Sequence, residues 1–79
     1  MEFAALIKEI EDFLPQVTQY RDDVTAAHIS SLAATHRAIL SGIVNSTHPV
    51  SPAVKTEAFS NYIEFHQIVV EYINKKKGE

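Results

Sequence analysis

The chain contains no cysteine and no tryptophan, only two glycines, and no long uninterrupted apolar run. Without thiols, neither a disulfide framework nor a thiolate metal site can reinforce a small core. With Gly42 and Gly78 alone, there is no glycine-rich loop to cradle phosphate. No apolar stretch approaches the ~18 residues of a membrane span, and Met1-Glu2-Phe3 opens on an acid where a secretory signal needs basic residues. A soluble, cytoplasmic protein with no membrane partner is therefore expected. The net charge of -3 is too small for a disordered acidic tail.

Seventy-nine residues allow one domain, 1–79. Chains of this size bury only about 60% of the surface they expose when unfolded, so a second subunit would help. Hydrophobic residues make up 46% of the chain, enough for a packed core.

These apolar residues are arranged with helical spacing. Phe3, Ile7, Ile10, Leu14 and Val17 step by four and three, with Leu6, Phe13 and Tyr20 in a second row beside them. Pro15 interrupts this segment, and proline inside a helix costs about 3 kcal/mol. Because the apolar phase runs through Pro15 unbroken, one helix over about 2–21, kinked at Pro15, is expected in preference to two short ones.

Either acid of Asp22-Asp23 suits the N-cap of a second helix, over 23–45. Ile29, Leu32, Ile39 and Ile43 form its apolar row, with His36 filling the gap. Ala27, Ser31, Ala34, Ala38 and Ser41 form a stripe of small residues that would let another helix approach closely. Asn45 offers a left-handed C-cap, and Ser51-Pro52 matches an N-cap serine followed by proline at the first helical position. A third helix over 52–76 carries two adjacent rows: Ala58, Tyr62, Phe65, Val69 and Tyr72, then Phe59, Ile63, His66, Val70 and Ile73. Lys75, Lys76 and Lys77 stand at its negative pole, and Gly78 ends it.

The fold class is therefore all-α: three helices, the last two a long antiparallel hairpin, completed by oligomerisation. In an up-down-up order the lysine run lies toward Asp22 and Asp23. Pairing residues symmetrically about the turn sets His36 near Asn61 and His66 near Ser31. The turn Pro49-Val50-Ser51-Pro52 with the run Ala53 to Tyr62 resembles the hairpin turn of type III secretion needle subunits. Ser51 stands where that family usually has asparagine or aspartate, the first helix departs from its pattern, and no family is assigned.

Candidate chemistry is sparse. His28 and His36 are eight residues apart, and neither belongs to a zinc-binding helical motif. No serine sits in a nucleophile elbow, and Glu9 with Glu11 or Asp12, and Glu57 with Glu64, are carboxylate pairs on faces expected to be solvated. The basic residues are scattered among acids, which disfavours nucleic acid. Neither enzyme activity nor a cofactor is expected. The expected function is a small interaction module: a self-assembling adaptor, chaperone-like cap or inhibitor that meets its own copies or another helical protein. Because large aromatics dominate interface energetics, Phe13, Tyr20, Phe59, Tyr62, Phe65 and Tyr72 are its candidate anchors. The alternative is a histidine-dependent metal or small-ligand binder, in which subunit symmetry doubles His36 or His66. Either histidine in a packing seam would also make assembly sensitive to pH.

Overall fold

The computed structural model describes residues 2–79, and among these the chain forms three helices and no strand. Helix α1 spans Phe3–Thr18, α2 spans Val24–Val44 and α3 spans Pro52–Lys77, packed as an elongated bundle of 45 × 18 × 17 Å. No helix is long and apolar enough to cross a membrane.

Each start is capped by a side chain. Glu2 accepts the Ala4 N–H at 3.3 Å, Asp23 accepts that of Thr25 at 2.9 Å, and Ser51 accepts that of Val54 at 3.3 Å with Pro52 behind it. Asp23, not Asp22, caps α2. Helix α1 runs on through Pro15 but ends at Thr18, three residues short of the expected boundary. Tyr20 leaves the helix and sets its ring edge-on against Tyr72, with centroids 5.9 Å apart. Asn45 ends α2 with φ -94° rather than in the left-handed region, its N–H donating to the Ser41 carbonyl at 2.9 Å. The turn is then tightened by Ser46, whose hydroxyl donates to the His48 carbonyl at 2.7 Å.

The core draws on all three helices. Phe3, Leu6, Ile10, Phe13 and Val17 from α1 meet Ala26, Ile29, Ala33 and Leu40 from α2 and the row Ala58, Tyr62, Phe65, Val69 and Tyr72 from α3. The backbones of α1 and α2 come closest, with alanines 26 and 33 fully buried. Helix α3 is held off by its rings: Phe13 and Phe65 pack with centroids 5.9 Å apart.

One expectation about α2 is corrected here. Burying Ile29 and Leu40 rotates the helix so that Ala26 and Ala33 face inward. The stripe Ala27, Ser31, Ala34 and Ala38 is left exposed, and Ser41 is half-buried. Across the hairpin, His36 stacks on Phe65 and meets the edge of Tyr62, the neighbour of Asn61, while Tyr72 and Lys76 both reach Asp23, so the register stays close to the symmetric pairing. The first turns of α3, residues 52–57, are exposed. His66 lies beside Glu9 of α1.

Candidate interaction surface

The six aromatic anchors divide by burial. Phe13, Tyr62, Phe65 and Tyr72 are buried in the chain's own core, where no partner reaches them unless the bundle opens. These four expected anchors thus serve the core of the closed bundle. The reason is the arc of α3: its first row is the one covered by α1 and α2. Tyr20 and Phe59 are half-buried at the margin of the core.

The buried tyrosines instead anchor two polar clusters. At one end of the bundle the Tyr72 hydroxyl donates to Asp23 Oδ2 at 2.7 Å, and Lys76 Nζ lies 3.0 Å from the same oxygen. The ammonium also sits 5.3 Å and 5.7 Å from the centroids of the Tyr20 and Tyr72 rings. The Tyr72 hydrogen bond, then that of Lys76, holds the Asp23 carboxyl at about 2. Burial and the bond to Asp23 push Tyr72 up to about 12, and the bond to Asp23 raises Lys76. Of the lysine run and the two aspartates, Lys76 and Asp23 thus meet, as expected of up-down-up packing.

At mid-bundle the Tyr62 hydroxyl donates to Glu9 Oε1 at 2.8 Å, and His66 Nε2 lies 3.5 Å from that oxygen. Burial, followed by the bond to Glu9, raises the Tyr62 phenol well above its ordinary range. His36 stacks on Phe65 with centroids 4.7 Å apart and meets the edge of Tyr62 at 6.5 Å. Burial lowers its pKa below the ordinary imidazole value. Glu9 was missed as a functional partner because its position on α1 looks solvated. The signal available was that a phenol at the centre of a core row needs an acceptor.

These clusters tie helices together. The concavities among the described residues are open grooves, and no group of three His, Asp or Glu side chains is placed to hold a metal ion.

What remains outward is aliphatic. On α3, Ile63 is 44% and Val70 41% exposed, in line with half-buried Phe59, His66 and Ile73. On the opposite flank of α3, Ile68 is 48% exposed, and Ile39 of α2 is 47% exposed. Glu57, Glu64 and Glu71, all exposed, run beside Ile68 at seven-residue intervals. A third face lies between α1 and α2, where Ile10, Leu14, Ala34 and Ala38 line a groove. Arg37 spans it to Glu11 at 3.6 Å. No known protein family, curated protein or solved structure matches the chain.

Proposed function

We propose that this chain is a small helical protein–protein interaction module, working in the cytoplasm through aliphatic helix faces that lie outside its own core and catalysing no reaction. One observation carries this proposal. Large aliphatic residues on α2 and α3, chiefly Ile39, Ile63, Ile68 and Val70, stay more than 40% exposed although the rings beneath them are already covered. Where such residues stand in line, as Ile63 and Val70 do beside half-buried Phe59 and Ile73, they form an apolar row of the kind another molecule covers. Helical partners suit them, because exposed Ile63 and Val70 stand two turns apart in one row of α3, joined at three- and four-residue steps by half-buried Phe59, His66 and Ile73. A self-assembling adaptor, a chaperone-like cap and an inhibitor would each use such faces.

The decisive experiment combines sedimentation over a concentration series with affinity capture from the native cell. Wild-type chain is compared with a variant carrying Ile39→Lys, Ile63→Lys, Ile68→Lys and Val70→Lys. All four sites are exposed, so the variant keeps its helicity. Self-association or a retained helical protein that the variant loses supports the proposal. A wild-type chain that is monomeric throughout and retains nothing overturns it.

A further inference from the structure

We infer that the outer row of α3, formed by Phe59, Ile63, His66, Val70 and Ile73, is a seam on which a second copy of this chain packs antiparallel, with the two-fold axis beside His66. This rests on the interaction-module proposal and names its partner.

The row steps by four, three, four and three, the spacing of a coiled-coil seam. It is apolar at every position except the middle one, and the bundle leaves it open: Ile63 and Val70 are exposed, the other three half-buried. What distinguishes it from the other open flank of α3 is charge. The flank beside Ile68 carries Glu57, Glu64 and Glu71, and an identical molecule would bring three more carboxylates to it. The outer edge of the Ile63 row is Thr56, Ser60, Gln67 and Asn74, exposed and all neutral. A self-pairing surface presents each residue to its own copy, so this outer edge meets an identical chain without repulsion, and Glu9 of α1, the carboxylate that borders the row at His66, already accepts from Tyr62 and lies 3.5 Å from His66.

The order of residues selects the direction. With the axis at His66, Phe59 faces Ile73 of the second copy and Ile63 faces Val70, giving two apolar layers on each side of the paired histidines. A parallel pair would instead set two Lys75-Lys76-Lys77 runs side by side. The antiparallel pair separates them to opposite ends and aligns the helix dipoles head to tail. Glu9 stays beside each His66, so the one polar layer keeps its own acceptor.

The chain has no cysteine, so single cysteines report this geometry directly. Under mild oxidation His66→Cys should cross-link to itself. Phe59→Cys and Ile73→Cys should each fail alone and cross-link when mixed, because each is about 21 Å along the helix from its own copy's counterpart in an antiparallel pair. Glu64→Cys, exposed on another flank, is the control. In sedimentation, Ile63→Lys or Val70→Glu should each weaken self-association by about tenfold or more, since each buries an unpaired charge. The double variant should regain it, because each introduced lysine then meets the introduced glutamate of the other copy across the seam. Circular dichroism confirms that each variant is folded.

Self-cross-linking of Phe59→Cys, equal cross-linking of Glu64→Cys, or no recovery in the double variant would overturn the inference. A chain that never self-associates yet retains a helical partner removes the inference and leaves the broader proposal standing; loss of both removes both.

Discussion

Tyr62 offers the sharpest test of how this bundle is held together. Its side chain is 1% exposed at the centre of α3's core row, and its hydroxyl reaches Glu9 on α1 at 2.8 Å. Truncating a buried ring of this size to alanine costs about 3–5 kcal/mol, from lost transfer energy plus the cavity left behind. At roughly 0.05–0.15 kcal/mol per residue, a chain of this length has a total stability of about 4–12 kcal/mol. Tyr62→Ala therefore removes between about a quarter and all of the total, and lowers the urea midpoint accordingly. Tyr62→Phe keeps the ring and removes only the hydroxyl. Hydrogen bonds to charged acceptors contribute about 1.5–3 kcal/mol, but Glu9 is half exposed and can rehydrate, so a loss of about 1 kcal/mol is expected. In a domain this small, that lowers the melting temperature by about 4–8 °C. Urea unfolding followed by circular dichroism measures each value. A cycle with Glu9→Ala isolates the pair from the neighbouring His66 contact. If Tyr62→Phe and Glu9→Ala add without coupling, the bond does not form; if Tyr62→Ala costs less than about 1 kcal/mol, Tyr62 is not a core residue.

Four further outcomes follow from the same packing. Ala33→Leu should destabilise by about 1–3 kcal/mol or more in urea titration, because Ala33 is fully buried where α1 and α2 come closest. Gly42→Ala should stabilise by about 0.5–1 kcal/mol, since an added Cβ meets nothing within 4 Å and the glycine only weakens the helix. Burial lowers the His36 pKa below 6.5, so the unfolded chain takes up the proton more readily; stability should fall as pH drops below 6.5, and His36→Phe should flatten that part of the profile. Asp23 runs in the same direction at lower pH: its stabilising contribution is present above 3.8 and is lost as pH falls toward 2, which a carboxyl NMR titration of wild type against Tyr72→Phe would detect as an upward shift in the variant.

Much of the fold was legible because capping is local chemistry. Ser51 before Pro52 and an aspartate before Val24 announce helix starts within a few residues, and both caps are made as read. The contact of Lys76 with Asp23 was also readable, since an antiparallel hairpin of α2 and α3 brings the end of one beside the start of the other. The candidate surface was legible only in outline. Two apolar rows on α3 can be counted, but periodicity does not say which row the bundle covers, and weighting ring size over position chose the inner one. Tyr62 and Phe65 are large because they span the wider gap to α1, while the open row carries the smaller Ile63 and Val70. The path of residues 45–51 was not legible. That path is set by local hydrogen bonds such as Ser46 to His48 rather than by helix phase.

The two kinds of contact in this bundle give its helices unequal freedom. Helices α1 and α2 meet through alanines with little to slide on, whereas α3 rests on aromatic cushions and two tyrosine tethers, Tyr62 to Glu9 and Tyr72 to Asp23. Breathing of the protein should therefore swing α3 away as a single door, hinged at 45–51, while the pair behind it stays shut. Each such opening would bare Phe13 and Phe65 together, offering a passing molecule a sticky interior that the resting state keeps hidden.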